Sequence, residues 1–274
     1  MTRYTLNHTR LAAYAALVIL LMPGVRLCAQ DEYHLDFGVA FLHGAVHGRV
    51  QTPLGRDPAT TSRHRPSLEE LGIEDTGSGD FWANVSRGPH GLYLGGRLLH
   101  LAGDSTLDTT LVSQGITFPA GSPVDAHAKF DWYRLGYRHL FSYDWAGRTI
   151  EFYPAVGMAI LDYRYTLSSP GIRGVDRGYT KPGGQAGLGV IYPFSENFTL
   201  TVQVLAPAPI PDWPQITSAQ AVVRYRFLDR NDISICGLFG IDYDWISYND
   251  RHDVANDIKV DIGPMGLVGL EVSF

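Results

Sequence analysis

Apolar and polar side chains alternate in short runs along most of this chain, the period that an extended strand imposes. The clearest run sets Phe198, Leu200, Val202 and Val204 against Thr199, Thr201 and Gln203. Near the start, Tyr33, Leu35, Phe37, Val39 and Phe41 oppose His34, Asp36, Gly38 and Ala40. At the end, Val268, Leu270, Val272 and Phe274 oppose Leu267, Gly269, Glu271 and Ser273. Between them, Phe81, Ala83 and Val85 oppose Trp82, Asn84 and Ser86, and Leu92, Leu94 and Leu98 oppose Gly95 and Arg97. Later, Ala186, Leu188, Val190 and Tyr192 form one row, and Ala221, Val223, Tyr225 and Phe227 face away from Arg224 and Arg226. The ninth run directs Ile233, Ile235, Phe239, Ile241, Tyr243 and Trp245 outward, with Asp232, Ser234, Cys236, Asp242 and Asp244 inward. In the fourth run, Ala126, Ala128, Phe130 and Trp132 are followed on the other parity by Tyr133, Leu135, Tyr137 and Phe141, which predicts a bulge at Trp132-Tyr133. The stretch from Ile150 to Tyr165 is apolar on both faces, and pattern gives it no orientation.

The runs amount to about ten strands, joined by connections of two kinds. Short turns at 88–91, 144–147, 195–197 and 229–231 follow the even strands. Longer loops at 52–79, 102–124, 169–177, 207–214 and 249–257 follow the odd ones. Misreading the weak second strand would leave about eight strands, and a hairpin hidden in 102–124 would give about twelve. A soluble sandwich has no reason to sort loop length by parity, so the expected fold is all-β: a closed antiparallel transmembrane β-barrel. Aromatic residues sort the same way. Phe141, Tyr192, Phe198, Phe227 and Phe274 stand beside short turns, and Tyr163, Tyr165, Tyr243 and Trp245 stand toward the long loops, as two interfacial girdles would. In the first loop, Ser67-Leu68-Glu69-Glu70 has the form of a capping box before Gly72. It predicts a helical turn over Leu68 to Leu71, whose Leu68, Leu71 and Ile73 cap the lumen or touch a ligand.

The amino-terminal region narrows the setting. Arg3 and Arg10 precede an apolar run from Leu11 to Met22, which Pro23 and Gly24 break before Leu27-Cys28-Ala29. Residues 1–29 are expected to be a cleaved signal peptide, leaving 30–274 as a single barrel domain. Leu27 stands where lipoprotein processing prefers a small residue, which argues against acylation of Cys28. The mature chain then keeps one cysteine, Cys236, and no internal disulfide. No later apolar run approaches the length of a membrane helix. A formal net charge of -6 without a basic run argues against nucleic acid as a partner.

The carboxyl-terminal strand, apolar, alternating and ending on Phe274, resembles the closing strand of small bacterial outer-membrane β-barrel proteins. The resemblance implies an outer-membrane location with both mature termini in the periplasm. It also implies that Phe274 is part of the signal read by the barrel assembly machinery, and that lipid and lipopolysaccharide are partners. An extracellular ligand at the long loops is a further expected partner, and no cofactor is expected.

Two sets of residues carry candidate chemistry. Asp36, Arg97, Arg134, Arg138, Arg224, Arg226, Asp232 and Glu271 point inward and predict a charge-paired network in the lower lumen, because a buried charge needs a partner. A selective ion path through the same charges is the functional alternative. Toward the long-loop rim lie Asp242, Asp244, Asp250, His252 and Asp253, with Asp125 and His127 across the barrel. Carboxylates beside histidine are parts for activating water. The rim bears a loose similarity to the ten-stranded omptin proteases, in which Asp242, Asp244 and His252 would be the catalytic candidates. Solvated loop charges, a divalent-cation site or lipopolysaccharide contacts read the same residues without catalysis. A lipid-modifying site at His100 and Ser105 rests on position alone. The expected role is structural or interactive at the surface, then a narrow solute path, then a rim-located hydrolase.

Overall fold

The computed structural model describes residues 33–50, 64–230, 233–249 and 257–274. The expected signal peptide and the residues Asp232, Asp250, His252 and Asp253 lie outside them. Thirteen strands follow in order: β1 (Tyr33–Arg49), β2 (Asp75–Arg87), β3 (His90–Thr106), β4 (Leu111–Ser113), β5 (Ile116–Phe118), β6 (Pro123–His139), β7 (Phe141–Trp145), β8 (Arg148–Ser169), β9 (Ile172–Pro193), β10 (Phe198–Pro207), β11 (Gln215–Arg230), β12 (Ile233–Asn249) and β13 (Asp257–Ser273). One 3-10 turn, Glu69–Leu71, precedes β2.

Every long strand pairs antiparallel with its neighbour, and the ring closes. β1 pairs with β2 on one side and with β13 on the other, in the register Phe37↔Val272. β6 and β7 pair end to end along β8, so they share one position and the 11-stranded sheet forms a ring of ten staves. Phe274 extends this closure. Its amide donates to the Leu35 carbonyl at 2.9 Å, Leu35 returns the bond at 3.1 Å, and its ring meets Phe37 edge-on at 6.3 Å. Closure pairs the ladder groups of the lower ring and leaves no full-length edge to aggregate.

Among the described residues, the short turns expected at 88–91, 144–147 and 195–197 stand where the sequence places them, each before an odd-numbered stave. Ala146 and Gly147 both take positive φ, 52° and 76°, which matches the twist of a tight hairpin. The connection after the fifth stave departs from expectation. What reads as a Gly- and charge-rich loop at 169–177 is a two-residue turn at 170–171, with Gly171 at φ 76°. The ladder runs on through Arg164↔Gly178 and Thr166↔Asp176, so β8 and β9, 22 residues each, project as one hairpin. Charged residues suit this ladder because both of its upper outward rows meet water. The 102–124 stretch does hold a hairpin, β4–β5, but as a separate two-stranded sheet outside the ring.

The predicted bulge at Trp132-Tyr133 is absent. β6 keeps one register with β3 and with β8 from Asp125 to Arg138. Ala126, Ala128, Phe130 and Trp132 face inward together with Arg134 and Arg138. The polarity of the surroundings reverses at this height, and the chain does not slip. In the half nearer the short turns, outward residues such as Leu135 (60% exposed), Met158, Leu188 (67%) and Phe239 form an apolar band around a polar interior. In the half nearer the long loops, Leu99, Leu101, Phe130, Leu161, Leu167, Val260 and Ile262 fill the bore, and His127, Asp162, Arg164 and Asp176 face out. Tyr163 and Tyr165 belong to that filling at 1% exposure each, and so are not part of the upper girdle that the sequence suggests. Tyr243 and Trp245 do face outward. The same reversal explains why β8 reads as apolar on both faces: Phe152, Val156, Met158 and Ile160 are outside, and Ala159, Leu161, Tyr163 and Tyr165 are inside.

Above the short β10, β9 has no stave beside it. Tyr179 bridges this seam to Tyr248 on β12 at 5.1 Å and to Tyr163 at 5.0 Å. The proline-rich connection at 208–214 arches past it, tied by the Ala208 amide to the Gly184 carbonyl at 2.7 Å.

Candidate functional site: a charged lumen under an apolar lid

The inward rows of β2, β3, β6, β11 and β12 meet at mid-height around Arg97, which is 1% exposed. Its guanidinium donates to Asp80 at 2.8 Å, to both oxygens of Asp242 at 2.6 and 3.0 Å, and to Asp244. Ser218 donates to Asp244 at 2.5 Å and Gln220 to Asp242 at 2.9 Å. Arg134 stands 3.5 Å from Asp80, and the Trp132 ring lies 5.4 Å from the Arg97 guanidinium carbon. A planar fork with five donors suits this crowd of carboxylates better than a lysine would. The cluster ties β3 to β12 across the bore.

These positions correct the rim reading. Asp242 and Asp244 are 3% and 0% exposed and locked to Arg97, so they are not open carboxylates at the rim. Asp125 and His127 pair at 2.9 Å on the outer face of β6, pointing away from the bore. His100 and Ser105 lie on opposite faces of β3. His100 approaches Asp131 on the outside at 3.2 Å, and Ser105 donates to the Glu70 carbonyl at 2.6 Å. The described members of these sets do not converge on one site, and no group of three or more potential metal ligands occurs among the described residues. Asp80 is the member that sequence reasoning missed. It shares the inward parity of Trp82 and Asn84, but the alternation visible in the sequence begins at Phe81, whereas the strand begins at Asp75.

Below the cluster lies the rest of the predicted network. Arg224 donates to Glu271 at 2.9 Å and to Thr201, and the Trp82 indole donates to Glu271 at 3.0 Å. Gly38 leaves room for that indole, because a Cβ at position 38 would overlap the Trp82 ring. Arg226 turns to the rim, bonding Asp229 at 2.7 Å and the Glu196 carbonyl at 2.7 Å. Arg138 stacks over Tyr153 at 5.5 Å. The described charges therefore form two layers instead of one plug, with Arg97 and Arg134 above and Asp36, Arg138, Arg224, Arg226 and Glu271 below.

Above the cluster, the first loop forms the expected lid. Ser67 and Glu70 exchange the two bonds of a capping box, amide to carboxylate at 2.8 Å and amide to hydroxyl at 3.1 Å. Gly72, at φ 74°, stops the turn. Leu68, Leu71 and Ile73 are 0 to 1% exposed and close the top of the bore. The Leu68 amide donates to Gly48 at 2.7 Å, and the Tyr163 hydroxyl donates to the Val50 carbonyl at 2.6 Å. Outside, His47 meets Glu69 at 2.6 Å. Partial burial pushes the Glu69 carboxyl up, but the bonds from His47, its own amide and Ser67 together outweigh it and hold the group below the usual carboxylate range.

A second outer set lies on the projecting hairpin and its neighbour. Lys129 bonds Asp162 at 2.6 Å and Asp131 at 3.0 Å, and Arg164 grips Asp176 through two bonds of 2.9 and 2.5 Å. The Asp162 bond raises Lys129 above its ordinary value, and Lys129 in turn lowers Asp162.

A closed ring with apolar rows outside and charged layers inside defines a transmembrane β-barrel, in which lipid covers what a second protein layer would otherwise cover. No protein-family model matches the sequence, and no curated protein does. Among solved structures, two of Ail, the attachment invasion locus protein of Yersinia pestis, are similar at 10% and 11% identity. Their TM-scores are 0.36 and 0.37, with 89% of this chain and 99% of theirs covered. A Pseudomonas aeruginosa FadL homologue aligns at 12% identity and TM-score 0.29, over 89% of this chain and 90% of that one. The transport unit of the autotransporter AIDA-I from Escherichia coli aligns at 9% and 0.31, over 96% and 98%. At such scores the likeness assigns no role.

Proposed function

We propose that the protein is a non-conducting barrel of the bacterial outer membrane that holds the β8–β9 hairpin and the 107–122 loop outside the cell as an interaction surface. In this reading the short turns and both termini of the mature chain face the periplasm, and Phe274 at the closing seam serves the assembly machinery. The observation that carries it is the filled bore. From the lid downward, Leu68, Leu71 and Ile73, then Phe130, Trp132, Tyr163 and Leu167, then the Arg97 cluster occupy the interior in sequence. A bore of about ten staves has room for side chains and little else. The charged outer face of the hairpin suits polar partners, including lipopolysaccharide headgroups at its base.

Planar bilayers test the closed bore: protein inserted from detergent leaves the membrane electrically silent, whereas steady unitary steps would refute it. An epitope inserted at Gly171 tests the orientation. Antibody binds it on intact cells, and binding only after permeabilisation would reverse the assignment of sides.

A further inference from the structure

β9 is paired on both sides only along its lower half. β10 ends at Pro207, opposite Gln185, and its chain leaves the wall with the Ala208 amide on the Gly184 carbonyl. Above that bond β9 runs on to Ile172 with β8 alone beside it. The Gly184 carbonyl faces away from β8, and the backbone groups of a strand change sides at every residue. The register with β8 is unbroken from Ile191 to Val175. The amides of Asp176, Gly178 and Thr180, and the carbonyls of these and of Pro182, therefore face the same open side. None of them bonds another backbone group among the described residues. Pro182, which has no amide to offer, stands where an unpaired edge tolerates proline. The β4–β5 hairpin pairs only with itself.

A bare edge is a template for another strand, and its side chains select which one. On the outer row, Asp176 is gripped by Arg164 and Thr180 donates to Asp162. On the inner row, Arg177 and Lys181 flank Tyr179. Neither cation meets a carboxylate among the described residues, Asp212 on the arch included, and the buried Nε of Arg177 has no acceptor. We propose that this edge is completed by an acidic, extended segment of a partner protein, lying where β10 would have continued. Directly opposed residues of paired strands share a face. The partner therefore carries carboxylates opposite Arg177 and Lys181 and an apolar residue opposite Tyr179, in the order acid, any, apolar, any, acid. A second copy of β9 would bring two more cations to that face and is disfavoured. The inference rests on the surface role proposed above. Micelles expose both ends of the barrel, so binding there can fail while the epitope at Gly171 still maps outside, and the reverse.

The probe is a fluorescein-labelled, end-blocked peptide, Thr-Glu-Thr-Val-Thr-Glu-Thr, whose pattern reads the same in either direction. Titrated against purified protein in micelles and followed by anisotropy, it binds, and its counterpart with lysine for glutamate binds more weakly. Arg177→Gln and Lys181→Gln each weaken the acidic peptide by up to about fivefold, the upper end of what one opposite-charge cross-strand pair contributes. N-Methylation of alternate peptide amides separates an edge from a charged patch: one set abolishes binding and the other does not. Thr180→Pro removes an edge amide and weakens binding, whereas Thr180→Ala removes only the hydroxyl bond to Asp162 and does not. Hydrogen exchange at Gly178 and Thr180 is fast in the free protein and slows with peptide, while Tyr179, bonded to β8, is protected in both. Heat-modifiable gel mobility shows that each variant is folded. If Thr180→Pro does not fold, the N-methylated peptides and the exchange pattern decide the matter. No binding, equal binding of the lysine peptide, or equal loss with the two N-methylated sets would each overturn the proposal. So would a dimer of the purified protein that Thr180→Pro disrupts, which would give the edge to a second copy.

Discussion

Replacing Arg97 with methionine is the sharpest perturbation this barrel offers. Methionine fills most of the same volume, so the change removes charge and donors more than packing. It strands Asp80, Asp242 and Asp244, which are 6%, 3% and 0% exposed, with Arg134 in salt-bridge reach of Asp80 alone. Breaking a buried ion pair from one side costs about 3–5 kcal/mol, whereas an exposed pair is worth about 1 kcal/mol or less. The expected loss is therefore about two to three and a half powers of ten in the folded-to-unfolded ratio, at 1.4 kcal/mol per tenfold. Urea titration in detergent or lipid, followed by heat-modifiable mobility, measures it. Adding Asp242→Asn and Asp244→Asn to Arg97→Met recovers much of the loss, because the stranded charges go with their partner. The single variant stays electrically silent in bilayers, since Leu68, Leu71 and the apolar filling above remain. A loss below about 1 kcal/mol would mean that the cluster is hydrated and behaves as a surface pair, and would refute the reasoning.

Three further outcomes follow from neighbouring features. Leu71→Ala in the lid, at 0% exposure, costs about 2–5 kcal/mol, and hydrogen exchange rises first in 67–73; an unchanged stability would show that the lid does not pack on the bore. Gly189→Ala places a methyl group into the buried Tyr153 ring and costs about 1–3 kcal/mol, which Tyr153→Leu largely relieves, as read by refolding yield. The Asp162–Lys129 bond lowers the Asp162 pKa, so its contribution is complete above the ordinary carboxylate value and fades as pH falls through the lowered one. Exchange protection at the base of the β8–β9 hairpin should accordingly hold down to about pH 4 and drop below it, and a drop near neutrality would contradict the assignment.

Much of the architecture was legible because a strand declares its faces every second residue. Val202 and Thr201, or Ile241 and Asp242, could be assigned to lipid and lumen from pattern alone, and Ser67 and Glu70 announced their own capping box. What misled was the assumption that outside always means apolar. On β6 the apolar residues change parity at Trp132-Tyr133 because lipid gives way to water outside and charge gives way to packing inside. Alternation reports contrast between faces but not which face is which. The same confusion put Tyr163 and Tyr165 in a girdle and turned the charged upper hairpin into a loop. The candidate site was half legible. Arg97, Asp242 and Asp244 were all read as inward, but their meeting depends on β3 and β12 facing each other across the ring, and no local pattern encodes that distance. Asp80 is hidden because β2 begins at Asp75, in a polar stretch that reads as loop up to Phe81.

The exchange of apolar side chains from the outer to the inner wall also fixes how deep the molecule can sit. Lys129, Asp162 and Arg164 stand on the outer wall just beyond Tyr133 and Ile160, so sinking by a few residues' rise would drag charges into hydrocarbon. Rising would strip lipid from Leu188 and Phe239. A bilayer of the wrong thickness must therefore deform around this protein, because the protein has no means of sliding to suit it.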